Sequence, residues 1–264
     1  MVGDIRTVAI PETYVNAIDS PVRCILNRPD KLNAITGSMI DALIAFFTTV
    51  DVDGRVKVVI LTGSGRAFSA GIHLRQDYSQ EKNKLRPSKM RDPGGTLAPA
   101  MFNCSKPITV AYNGIAVGIG MTSTLAAAIR IAPRNSEFGF SFSRIGLTME
   151  SSSSFFLSRM VGCSNATYLL ATGKRYPAHS PVLQGIFAEL VPEPEDVLPR
   201  AFELAQDILS YVSAMAIHLN RQLIWRNPGS AEGAHLDAPR TYPWWNELSV
   251  KTRPTAQKTP RGKL

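Results

Sequence analysis

Short runs of mainly apolar residues fall at 22–26, 56–61 and 108–111, interrupted only by Arg23, Lys57 and Thr109 and each bounded by turn-forming or polar positions. Valine- and isoleucine-rich blocks of this length predict buried strands. Between the first two the spacing changes. Met39, Ile40, Leu43, Ile44 and Phe47 recur at helical intervals, which predicts a helix over 36–50 with Thr36 or Ser38 as its cap. Strand and helix therefore alternate, the pattern of an α/β fold. Residues 81–95, rich in lysine, arginine and proline, show no period and predict a surface loop or a poorly ordered helix. Pro192, Pro194 and Pro199 mark a boundary, beyond which Leu198, Phe202, Ala205, Ile208, Leu209 and Val212 return to helical spacing within 197–225. The expected organisation is a β/α core over 1–195 and a C-terminal helical region with a basic tail over 196–264.

Composition narrows the classes. With 264 residues, 44% hydrophobic and 19% charged, the chain is neither disordered nor collagen-like and is long enough for one large core. Its net charge of +8 would attract anions, but five of those charges sit in Lys251, Arg253, Lys258, Arg261 and Lys263, leaving +3 for the rest. That distribution predicts a solvated tail rather than a nucleic-acid surface. Residues 107–129 carry no charge over a membrane-spanning length, yet Asn113, Gly114, Gly118, Gly120 and Thr122 break the run, so no membrane span is expected. Cys24, Cys104 and Cys163 are few, odd in number and far apart, and the first fifteen residues hold no apolar signal core. Both features predict a reducing compartment.

Candidate chemistry lies in two glycine-containing turns that follow predicted strands. One is Leu61-Thr-Gly-Ser-Gly-Arg-Ala-Phe-Ser-Ala-Gly-Ile-His-Leu74; the other is Ala111-Tyr-Asn-Gly-Ile-Ala-Val-Gly-Ile-Gly-Met-Thr122. Small residues after a strand let a ligand approach the backbone, and amides at a following helix start suit an anionic oxygen. Two such turns are able to direct two N–H groups at one oxygen. There is no phosphate-loop lysine, no dinucleotide fingerprint, no Gly-x-Ser-x-Gly elbow, and His73, His179, His218 and His235 are not spaced as metal ligands. No cofactor or metal is expected.

These segments, together with Leu26-Asn-Arg-Pro-Asp-Lys-Leu-Asn-Ala34 and Ala132 through Glu137-Phe-Gly139, resemble the crotonase (enoyl-CoA hydratase/isomerase) superfamily in the family's order. The resemblance runs from about residue 22 to 192 and less clearly beyond. It implies a spiral core of repeated ββα units with a C-terminal helical part, assembled as a trimer or a pair of trimers. It implies an acyl-CoA substrate, with coenzyme A as part of the substrate, whose thioester oxygen is held by the backbone N–H groups of Ala70 and Ile119. Ser69, Gly71, Ile72, His73, Leu74 and Gly118 would lie along the substrate. His73 stands where the family commonly has aspartate, and a plain polar residue near a helix start is the favoured reading of it over a substrate contact.

The hydratase branch of the family places glutamates at positions matching Thr122 and Phe142, and neither is a carboxylate here. In contrast, Phe142-Ser-Arg-Ile-Gly-Leu-Thr-Met-Glu150 followed by four serines resembles the peroxisomal Δ3,Δ2-enoyl-CoA isomerase branch, and Glu150 matches its glutamate. One base suffices for allylic isomerisation: it takes a proton from C2 of a 3-enoyl thioester and returns it to C4. Met149, Phe155 and Phe156 are neighbours expected to raise the Glu150 pKa. The terminal Gly262-Lys263-Leu264 differs from the Ser-Lys-Leu peroxisomal signal at its first residue, so a peroxisomal import receptor is an expected partner, with cytoplasm as the alternative location. Three other readings stay open: a hydratase-like enzyme acting on an unusual acyl-CoA in a specialised pathway, a non-catalytic acyl-CoA binder, and a nucleic-acid binder using the basic tail.

Overall fold

A computed structural model describes residues 5–7, 21–72, 92–227 and 229–233. His73 and Leu74, most of the expected loop at 81–95, and the basic tail with its terminal tripeptide lie outside the described residues. Strand β1 (Ile5–Thr7) and strand β2 (Val22–Leu26) precede helix α1 (Gly37–Val52), which begins where the sequence places it: the Thr36 hydroxyl accepts the Met39 amide at 3.2 Å. Met39, Ile40, Leu43, Phe46, Phe47 and Val50 form its buried face.

Strands then come in pairs. β3 (Val59–Gly63) is followed by β4 (Ala67–Ser69); after helix α2 (Pro93–Asn103), β5 (Ile108–Ala111) is followed by β6 (Ile115–Val117). After the short helix α3 (Ile119–Thr122) and a 3-10 turn at Ser123–Ala126, β7 (Ile129–Pro133) is followed by β8 (Glu137–Gly139). The first member of each pair joins a six-stranded sheet in the order β1-β2-β3-β5-β7-β10, the second a four-stranded sheet in the order β4-β6-β8-β9. Three successive turns of chain therefore wind between two sheets, a spiral repeat in which each strand lies parallel to its equivalent in the next turn. The uncharged stretch at 107–129 is spent on β5, β6, α3 and the 3-10 turn, and no helix among the described residues is long and apolar enough to cross a membrane.

Helix α4 (Ser153–Thr172), kinked at Gly162, leads to β9 (Arg175–Pro177) and β10 (Glu189–Val191). Helices α5 (Pro194–Tyr211) and α6 (Ala214–Trp225) complete the order. The division drawn at 195/196 falls inside α5, and that helix is not set apart from the core. Val197, Ala201 and Ala205 share a buried cluster with Val58, Ile60, Ala111 and Ile131 on the large sheet. Pro194 thus starts a helix, which tolerates proline in its first turn, Pro199 lies inside that helix, and the prolines do not end the packed core.

The larger cluster lies between the sheets and under α1 and α2. Tyr112 is wholly buried there, with its ring 4.7 Å from that of Phe68 and 5.1 Å from that of Phe138, and its hydroxyl 2.6 Å from Thr124 Oγ1. Tyr112→Ala is expected to cost about 3–5 kcal/mol, the scale for removing a large buried ring, as read from denaturant unfolding. A change within the noise of the extrapolation would contradict this placement. Cys24 and Cys104 are buried as well; burial pushes the Cys24 thiol up to about 12 and raises that of Cys104, whereas Cys163 is exposed. Iodoacetamide is therefore expected to label Cys163 alone in the native protein, and early labelling of Cys24 would count against this core.

Candidate active site

The two glycine turns meet because β4 and β6 are neighbours in the small sheet. Gly71 has φ +91° and Gly118 has φ +54°, backbone conformations that a side chain would strain. A Cβ on Gly71 would stand 3.2 Å from Val117 O, and one on Gly118 would stand 3.7 Å from Gly71 Cα, so the loops approach backbone to backbone. Asn33 locks this arrangement from beneath. Wholly buried, it donates from Nδ2 to Ala67 O at 2.7 Å and Ser64 O at 2.9 Å.

A cavity of about 550 Å³ opens over these loops, lined by Ala70, Gly71, Ile72, Gly118 and Ile119 and also by Phe142, Ile145, Leu147, Met149 and Glu150. The expected substrate residues fare differently. Gly71, Ile72 and Gly118 line it. Ser69 does not: it is fully buried and donates its hydroxyl to Asn33 O at 2.9 Å while accepting the Gly71 amide at 3.2 Å, which makes it a support of the loop.

The amides also need one correction. Ala70 lines the cavity, but its N–H donates to Leu32 O at 2.8 Å, so this group is spent within the fold. Two residues on, Ile72 forms a parallel bridge with Ile35 in which Ile35 N donates to Gly71 O at 2.7 Å. The Ile72 amide, facing away from that bridge, donates to no described residue. Ile119 is the first residue of α3, a position whose N–H has no acceptor within its own helix. Its side chain is packed into the main core, so a residue bulkier than glycine is accommodated beneath the cavity floor.

Glu150 is half-buried at the end of the loop after the 3-10 turn Ser141–Ile145. The Thr122 hydroxyl lies 3.5 Å from Glu150 Oε1, the outer limit of a hydrogen bond, and also donates to Gly118 O at 3.2 Å. A Cβ on Gly94 would stand 3.1 Å from Glu150 Oε2, so the carboxyl group sits against the first turn of α2. Thr122 and Phe142 thus belong to the site region without a carboxylate between them. Of the apolar neighbours expected to desolvate Glu150, Met149 lines the cavity; Phe155 packs instead under Arg159, 3.9 Å from ring centroid to Arg159 Cζ, and Phe156 faces Trp225. Phe142, Ile145 and Leu147 supply the apolar wall. Asp92, at the edge of the segment expected to be a surface loop, is a second carboxylate in the cavity wall.

The enoyl-CoA hydratase/isomerase family profile matches residues 20–232, which spans both glycine turns and Glu150. The chain belongs to this family. An enoyl-CoA hydratase of Alternaria alternata, AFT3-1, is 41% identical over 212 residues, covering 80% of this chain and 71% of its own. A protein of Arabidopsis thaliana named "probable enoyl-CoA hydratase 1, peroxisomal" is 32% identical over 194 residues, covering 74% of this chain and 71% of its own. The solved structure of a monofunctional enoyl-CoA isomerase from M. smegmatis is similar with a TM-score of 0.67 at 28% identity, covering 82% of this chain and 93% of that one. This enoyl-CoA hydratase/isomerase family enzyme therefore has named hydratases and a named isomerase among its relatives, and an acyl-CoA thioester is the substrate class that fits the family.

Proposed function

We propose that this family member isomerises 3-enoyl-CoA to 2-enoyl-CoA, with Glu150 as the proton shuttle and the amides of Ile72 and Ile119 as the pair that holds the thioester oxygen. What carries the reading is Glu150 itself, a carboxylate in the wall of the cavity, while the two positions that would carry hydratase glutamates are Thr122 and Phe142. Glu150 removes the pro-chiral C2 proton as a carboxylate. The electron pair moves to the thioester oxygen, giving a dienolate, and the carboxylic acid so formed returns the proton to C4. Two amides aimed at an oxygen that gains charge favour the dienolate over the bound substrate. Phe142, Ile145, Leu147 and Met149 give the acyl chain an apolar wall to lie against. No cofactor enters this scheme beyond the coenzyme A of the substrate.

A hydratase acting on an unusual acyl-CoA is the second reading. It is favoured by the names of the Alternaria and Arabidopsis relatives and by Asp92, a second carboxylate at the cavity. Parallel assays of the purified protein with 3-octenoyl-CoA and 2-octenoyl-CoA separate the two. Formation of the 2-enoyl thioester from the first supports isomerisation; 3-hydroxyacyl-CoA formed faster from the second supports hydration; binding without turnover of either supports a binding role. Assembly as a trimer or a pair of trimers belongs to the same proposal. So does peroxisomal delivery, for which the support is the name of the Arabidopsis relative.

A further inference from the structure

Asp92 lies far from Glu150 in sequence but beside it in the fold. Its side chain caps α2 by accepting the Gly95 amide, and the same Oδ1 accepts the Ser151 amide at 3.1 Å, so one carboxylate oxygen joins the start of α2 to the residue that follows Glu150. The turn it holds is a strained one. Ser151 and Ser152 both have positive φ, +57° and +53°, in a region that L-residues with a side chain adopt only when their surroundings hold them there. The Ser153 amide closes the turn from the other side by donating to Glu150 O at 2.9 Å. Ser151 is fully buried, yet its own hydroxyl has no partner among the described residues. The residue is thus held through its backbone, and the Asp92 bond is part of that hold. Gly94 completes the fit, because a Cβ there would overlap Ser151 Oγ and crowd Glu150 Oε2.

We propose that Asp92 is a positioning residue for Glu150: by accepting the Ser151 and Gly95 amides together it pins the Glu150–Ser151 peptide to the first turn of α2 and so keeps the Glu150 carboxyl group in the cavity wall. This rests on Glu150 being the proton shuttle. The role depends on an acceptor oxygen at the right reach. Asparagine offers one, whereas serine is a good helix cap whose shorter side chain falls short of the Ser151 amide.

Asp92→Asn, Asp92→Ser and Glu150→Gln in the full chain test this, with 3-octenoyl-CoA turnover and melting temperature measured for each. Asp92→Asn is expected to keep kcat within about threefold. Asp92→Ser is expected to lower kcat by about 10²-fold, the scale for misplacing a reacting group by an ångström, with KM and melting temperature close to those of the unaltered protein. Normal kcat in Asp92→Ser beside an inactive Glu150→Gln overturns the positioning role and leaves the Glu150 assignment standing. Losses in both Asp92 variants that follow the melting temperature overturn it in favour of a capping role alone. Full activity in Glu150→Gln overturns the Glu150 assignment, and positioning for catalysis with it. A crystal structure of Asp92→Ser gives a readout that needs no substrate: the Glu150 carboxyl group displaced from Thr122 and Gly94 is the expected result, and an unmoved carboxyl group overturns the proposal.

Discussion

Glu150→Gln is expected to slow the isomerisation of 3-octenoyl-CoA by about 10²–10⁴, the range for losing a positioned acid–base group. Glutamine keeps the length and shape of the side chain and an oxygen able to accept from Thr122, so the fold and the cavity should be retained. What it cannot do is take a proton from C2 and hand it back at C4. KM is expected to change little, because the removed group acts on the proton in flight rather than on the bound thioester. Glu150→Asp should fall between the two, since it retains the carboxyl group but withdraws it by one methylene. Wild-type kcat in Glu150→Gln would move the proton transfer to another group, and Asp92 is the next carboxylate in the wall.

Ile119→Pro is expected to lower kcat by about 10²–10³ by deleting one of the two amides proposed to hold the dienolate oxygen. Proline is suited to this test because Ile119 is the first residue of α3, where the imino ring fits a helix start and no intrahelical bond is lost. Loss of the buried isoleucine side chain will also lower stability, so Ile119→Val serves as the companion variant: it trims the same side chain and keeps the N–H. Normal turnover in Ile119→Val with slow turnover in Ile119→Pro at unchanged acyl-CoA affinity assigns the effect to the amide. Equal losses in both would assign it to packing.

Much of this site was legible in the sequence because its frame is made of strands and turns with strong local signals. The strands over 22–26 and 108–111 stand where the apolar blocks placed them, and the block at 56–61 became a strand shifted to Val59–Gly63, its leading residues serving as the approach to the sheet. The expected spiral of ββα units appears as strand pairs that alternate between the two sheets. The direction of each amide was harder to read. Whether Ala70 or Ile72 points into the cavity depends on how the chain pairs with the left-handed turn at Leu32 and Asn33, a contact across the fold that no periodicity records. Ser69 shows the same limit, since a serine in a glycine turn looks available until Asn33 O claims its hydroxyl.

Asp92 was missed for a different reason. Its segment is dominated by lysine, arginine and proline and has no hydrophobic period, so it read as surface. A local signal was nonetheless present, because Asp92-Pro93 is an N-cap followed by proline at the first helical position. That signal announces a helix start, but the second bond of Asp92, to Ser151, is tertiary. For α5, amphipathic spacing was visible while its packing partner was not: the small residues Ala201 and Ala205 allow close approach to the large sheet, which joins the helix to the core.

The measurement to make is a single turnover of 3-octenoyl-CoA carrying deuterium at both C2 positions, with the product analysed for deuterium at C4. Transfer of label from C2 to C4 in the 2-enoyl product, lost in Glu150→Gln, is the result expected of one carboxyl group that takes and returns the same proton. A 3-hydroxyacyl product in place of the 2-enoyl thioester, or label transfer that persists in Glu150→Gln, would contradict it.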